Sequence, residues 1–182
     1  MNLRETPAGF DKPLAALSSC HRRIEKQMAT LARLQKHVAN CGFDHEARTA
    51  AAGILRYFIE AVPYHHADEE ADLFPKVLRA AEASADRACA FELVAHLLVD
   101  HRNMEEVWEK LRKALLALES GEKTELDSQL CEDFARIHSS HIEREDRQLF
   151  PLAGRLLGKA DLVSLGNAMA QRRGLPPPEF VA

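Results

Sequence analysis

Apolar residues recur at spacings of three and four along most of the chain and do not alternate at a spacing of two, which predicts helices and no strands. Glycines and prolines set the limits of each run. Asp11 and Pro13 supply a cap and a first turn, and Gly42 after Asn40 supplies a stop, giving a helix from about 12 to 40. Asp44 caps a second helix that runs to about Phe74, where Pro75 lacks a backbone donor and is expected to break it; Pro63 inside this helix predicts a kink. Ser84 or Asp86 opens a third helix that ends before Gly121, and Thr124 with Asp127 reads as a capping box for a fourth, closed by Pro151. A shorter apolar helix follows each Leu-Phe-Pro, then a last helix from about 161 to 173 and a flexible tail at 174–182. Four long helices with short connections bury their stripes only against one another. The expected fold is all-α: an antiparallel up-down-up-down four-helix bundle in a single domain spanning 1–182, its core at about 12–155.

The chain carries one pattern twice. HHADEEADLFP at 65–75 and HIEREDRQLFP at 141–151 stand 76 positions apart, and CHRRIE at 20–25 matches DHRNME at 100–105. Each half is thus a helical hairpin with a histidine on its first helix and His-x-x-x-Glu on its second, and two such hairpins suit a pseudo-twofold arrangement. At about 100° per residue, positions i and i+4 share a face. Leu55, Phe58 and Val62 lead into His65 and Glu69; Leu130, Phe134 and Ile137 lead into His141 and Glu145. His21 lies between Leu17 and Met28, and His101 between Leu97 and Trp108, so all four helices aim a histidine at the core. Buried ionisable groups without a partner cost several kcal/mol, roughly, and a pair of di- or trivalent cations answers the whole set at once. Imidazoles donate nitrogen, and two carboxylates bridge the metals and cancel charge.

Composition narrows the surroundings. A net charge of -4 with no basic cluster removes the electrostatic reason to expect nucleic acid, and no stretch approaches the roughly 18 apolar residues of a membrane span. No apolar run follows the basic start, so a soluble, cytoplasmic protein is expected. Cys20, Cys41, Cys89 and Cys131 form no C-x-x-C pair and read as buried reduced thiols.

At His21, HHADEEADLFP, His101 and HIEREDRQLFP the chain resembles the hemerythrin-like, or HHE cation-binding, family of non-haem di-iron four-helix bundles, over roughly residues 12–155. The resemblance implies two iron ions, oxo- or hydroxo-bridged, held by His21, His65, Glu69, His101, His141 and Glu145, with Glu69 and Glu145 bridging; zinc or manganese are expected substitutes. Oxygen-carrying members use a fifth histidine where this chain has Leu97, and place the last bridging acid where it has Asp146. Asp146 lies about 140° from His141 round the helix and reads as a surface residue. His138 lies inside the stripe, either as a replacement fifth histidine or as a buried histidine bonded to a carbonyl. Glu25 and Glu105 are expected to face inward one turn from His21 and His101, orienting a ligand, gating access or touching metal. His66 and Glu70 flank the site as supporting partners or solvated residues, while His37, His45 and His96 read as surface or helix-end groups. The Leu-Phe-Pro pair is expected to close the bundle's end.

Three functions fit this site. The first is reversible binding or sensing of oxygen or nitric oxide at an open metal position lined by Leu97, Leu98, Met104, Ile24 or Val62. The second is a di-iron redox enzyme of oxidase, peroxidase or iron-repair type, although ferritin-like oxidases use Glu-x-x-His pairs absent here, and the repair proteins of this family carry a cysteine-bearing N-terminal segment that residues 1–11 do not match. The third is a structural or storage site. A non-enzymatic binder, acting as a monomer or homodimer with a diatomic ligand, is the expectation.

Overall fold

The computed structural model describes residues 9–121 and 125–180, and every regular element among them is helical. In chain order these are α1 (Pro13–Cys41), α2 (His45–Glu60), α3 (Val62–Asp68), a π-helical segment (Glu69–Leu73), α4 (Phe74–Ala81), α5 (Arg87–Glu119), α6 (Ser128–Arg144), a second π segment (Glu145–Leu149), α7 (Phe150–Leu156) and α8 (Lys159–Arg172). The ends follow their local chemistry. Gly42 adopts φ +78°, open to glycine and strained for other residues, and stops α1. Asp44 caps α2 through its side chain, accepting the Ala47 amide at 2.9 Å. Asp127 caps α6 by accepting the amides of Gln129 and Leu130, at 2.8 and 3.3 Å; Thr124, its expected partner in a capping box, lies outside the described residues. Around Pro63 the helix is interrupted at Ala61, and the proline sits in the first turn of α3.

The chain divides into two compact units. Arg23–Pro63 with His96–Arg144 forms one, drawing on α1, α2, α5 and α6. Its core includes Leu31, Ile54, Phe58, Leu111, Leu115 and Phe134. The Phe58 ring meets Phe134 edge-on at 4.9 Å and leans on Trp108 at 5.0 Å. Each such buried aromatic stabilises the unit by roughly 2–3 kcal/mol through removal from water, with up to about 1 kcal/mol more for each ring pair. Arg48 at the start of α2 donates to the Glu119 carbonyl at the end of α5, so α2 departs from the end that α5 reaches and the two run antiparallel.

Met1–Arg22, Tyr64–Ala95 and Glu145–Ala182 form the other unit. Here α4 packs on α7, and α8 lies against the first π segment. Gly166 of α8 faces the Phe10 carbonyl so closely that a Cβ would collide with it, so this contact requires glycine. Residues 174–180 continue without helix, and 181–182 lie outside the described residues.

The breaks expected at Pro75 and Pro151 are not found. Each proline instead occupies the first turn of the helix that follows, α4 or α7, where a missing N–H is tolerated. The preceding π segment makes this possible: the Phe74 amide reaches back to the Glu69 carbonyl, five residues away, in a turn one residue wider than an α turn. The wide turn also re-aims the chain. On an unbroken α-helix, buried Phe74, Val77 and Ala81 would lie about 110° round from Glu69; one extra residue per turn returns them by about 100°.

Candidate metal centre

Both π segments begin at a glutamate of the duplicated motif, Glu69 and Glu145, and both of these side chains are fully buried. Within the second of the two units, His21 from α1, His65 from α3, Glu69 and Glu145 converge, each offering one ligand-type atom with all four atoms within 4.8 Å of one another. The His65 Nε2 lies 3.3 Å from a Glu69 oxygen, and the His21 Nε2 lies 2.9 Å from a Glu145 oxygen. The imidazoles of His21 and His65 meet edge to face at 5.0 Å. Phe150 stacks on His21 at 5.2 Å with the rings only 10° from parallel, so the second Leu-Phe-Pro contributes its phenyl to the site and its proline to a helix start.

His21 is held from both sides. Its Nδ1 lies 2.9 Å from Asp146 Oδ1 while its Nε2 faces Glu145. Burial pushes its pKa down, but the hydrogen bonds and charges of Asp146 and Glu145 outweigh that and hold it above the ordinary histidine value. Asp146 is a surface residue, as expected, yet its carboxylate reaches back to fix the ring's outer nitrogen, leaving Nε2 directed at the acids. Burial first, and then the neighbouring charges of Glu145, Cys20 and Asp68, push the Glu69 carboxyl well above the usual range. A cation bound there would reverse this balance by stabilising both carboxylates. Two imidazoles and two carboxylates in a dry setting are a fitting donor set for a metal of intermediate hardness, and for this centre the residues present fit.

The other unit buries a second histidine pair. His101 and His141 approach nitrogen to nitrogen at 3.2 Å, and Asp100, itself paired with Arg144, lies 3.5 Å from His141 Nδ1. Burial raises the Asp100 pKa, but His141, Arg144 and His101 together bring it below the ordinary carboxylate value. Neither carboxylate that steadies an imidazole was legible as such: Asp100 sits beside a histidine whose counterpart, His21, follows Cys20, and Asp146 faces away from its own helix's stripe.

His138 is buried with its Nδ1–H donating to the Phe134 carbonyl at 2.8 Å and its ring packed on Phe134 and Phe58, and it does not join the four-residue group. Burial, only partly offset by that carbonyl, lowers its pKa to about 4. The unfolded chain therefore takes up this proton near pH 6.5 while the folded chain resists until about pH 4, so stability falls as pH drops across that window. We expect metal-free protein to lose on the order of 3 kcal/mol between pH 7 and 4 through this residue. Urea titrations of wild type and His138→Gln should show the slope largely removed in the variant; equal slopes would exclude His138 as its source.

Glu25 and Glu105 correct the sequence reading, since both are exposed. Counted from the histidine alone they sit about 40° away, but the buried stripe of Leu17, Ile24 and Met28, like that of Leu97, Met104 and Leu111, is centred about 40° on the opposite side. Ile24 and Met104 take the inward places. His66 is half-buried, with its ring 5.9 Å from that of His65, and Glu70 is exposed. His45 and His96 are exposed, and His37 pairs with Asp44 at 2.9 Å near the surface. All four cysteines are free thiols, but only Cys20 and Cys131 are buried, whereas Cys41 and Cys89 are exposed. Burial and nearby acids push the Cys131 thiol up to about 12.

A helical bundle with a buried mixed histidine and glutamate cluster defines a class of cation-binding proteins. The chain belongs to the hemerythrin HHE cation-binding domain family, whose model matches residues 12–153. It is also 28% identical over 166 residues to an uncharacterised protein of Haemophilus influenzae, a match that covers 91% of this chain and 92% of that protein.

Proposed function

We propose that this protein holds a pair of iron ions and binds or senses oxygen or nitric oxide, as a single cytoplasmic domain. In this reading His21, His65, His101 and His141 are terminal ligands and Glu69 and Glu145 bridge. The buried convergence of His21, His65, Glu69 and Glu145 carries the proposal, and the duplication of the motif in His101, His141 and Glu145 supports the second half of the set. Iron there would supply a redox-active position open to a small ligand. In this reading water would be kept out by apolar residues such as Ile24, Val62, Leu97 and Met104, all of them buried, and Leu97 stands where oxygen carriers of this family place another histidine. Imidazole-rich ligation with apolar neighbours suits binding without a proton donor that would carry oxidation onward. Among the described residues no helix is long and apolar enough to cross a membrane.

The test is to load the metal-free protein with ferrous iron under nitrogen, count metal, and then admit oxygen or nitric oxide. The expected result is a stoichiometry near two and charge-transfer absorption that reverses on degassing. Irreversible bleaching with release of hydrogen peroxide would replace this reading with an oxidase, and zinc occupancy with no response to either gas would replace it with a structural site.

A further inference from the structure

The end of α8, beyond the family-matched residues 12–153, grips the segment that carries Glu69. Asp68 precedes Glu69 and is completely buried, and both of its oxygens are taken by arginines. Arg172 Nη1 donates to Oδ1, while Arg173 donates to Oδ2 at 2.7 Å and to Oδ1 at 3.2 Å. Arg172 also reaches forward, its Nη2 donating to Asp72 Oδ2 at 2.5 Å. One guanidinium therefore ties the residue before Glu69 to a residue inside the π segment that Glu69 begins, spanning the wide turn from end to end. Arg173 is itself held in place: it lies over the rings of Phe10 and Tyr64, at 5.0 and 5.3 Å, and donates to the Met169 carbonyl at 2.9 Å.

The other half of the duplication lacks this device. The positions 76 residues on from Asp68 and Asp72 are Arg144 and Gln148, and Arg144 pairs with Asp100 instead. The grip thus belongs to the first hairpin alone. A π turn leaves the backbone wider than its α-helical alternative, and side chains that pin both of its ends favour the wide form. A planar, five-donor guanidinium can bridge two carboxylates in a fixed geometry where an ammonium acts as a point charge.

We propose that Arg172, with Arg173 behind it, is a positioning residue for Glu69: by bridging Asp68 and Asp72 it fixes the π turn that presents this carboxylate, so that α8 sets how firmly the centre retains metal. This rests on the metal-centre reading above.

The experiment compares wild type, Arg172→Gln, Arg172→Lys and a destabilised core variant, Leu34→Ala, each loaded with cobalt(II). Cobalt release to a chelator, the visible ligand-field spectrum, and the melting temperature of the metal-free protein are measured for each. Arg172→Gln is expected to release metal about tenfold faster than wild type with a changed spectrum, Arg172→Lys to fall between the two, and Leu34→Ala to keep the wild-type spectrum and release rate despite its lower melting temperature. The proposal is overturned if Arg172→Gln matches wild type in rate and spectrum, or if Leu34→Ala accelerates release as much. Wild type that takes up no cobalt would overturn both this inference and the reading beneath it. Should Arg172→Gln fail to fold, Asp72→Asn cuts the same bridge at its forward end and is held to the same outcomes.

Discussion

His65→Ala and His141→Ala are each expected to purify with less metal than wild type and to lose most of the rise in melting temperature that metal confers. Each removes an imidazole whose neighbours are buried: His65 lies beside Glu69 and His21, and His141 beside His101. A metal that binds only the folded chain stabilises it by about 4 kcal/mol at a thousandfold excess over its dissociation constant, which for a chain of this length corresponds to roughly 10 °C. Losing a ligand removes much of that increment. Plasma emission spectrometry of the purified variants and calorimetry with and without added iron read the two effects separately. His37→Ala, which alters a histidine near the surface paired with Asp44, should change neither. Metal content equal to wild type in both ligand variants would defeat the assignment.

Asp68→Ala should be the most damaging substitution in metal-free protein. The carboxylate is wholly buried and faces two guanidiniums that are themselves about one-fifth exposed, 22% and 23%. Removing one partner of a buried pair leaves positive charge without its counter-ion, and the cost is about 3–5 kcal/mol. Asp68→Asn keeps the volume and an accepting oxygen and should cost distinctly less. Urea unfolding monitored by circular dichroism gives both values, and a loss under about 1 kcal/mol for Asp68→Ala would show that Asp72 alone satisfies the arginines.

The two predictions draw on different layers of what the chain discloses in advance. His65 and Glu69, like His141 and Glu145, could be placed on the core stripe because spacing along one helix is a local property, and the family resemblance rested on those same residues. Glu25 and Glu105 face inward when direction is taken from one histidine, but outward once it is taken from the middle of the apolar stripe. The π segments were invisible for a different reason: a turn widened by one residue has no composition of its own, and the prolines beyond it suggested a stop where the backbone in fact continues. Asp68 reads as one acid among several in ADEEAD, and only the folded chain brings it to arginines 104 and 105 positions away. Asp146 reads from the sequence as a surface residue and Asp100 carries no signal at all, because a side chain on the outer flank of one helix can still serve an imidazole that belongs to another.

Because each wide turn both begins at a glutamate and decides which way the following helix faces, chain length between Glu69 and Phe74, and between Glu145 and Phe150, is held by two demands at once. The number of residues in each stretch is therefore fixed, since a single deletion would restore the narrow turn, displace the acid and swing the buried face of α4 or α7 toward solvent.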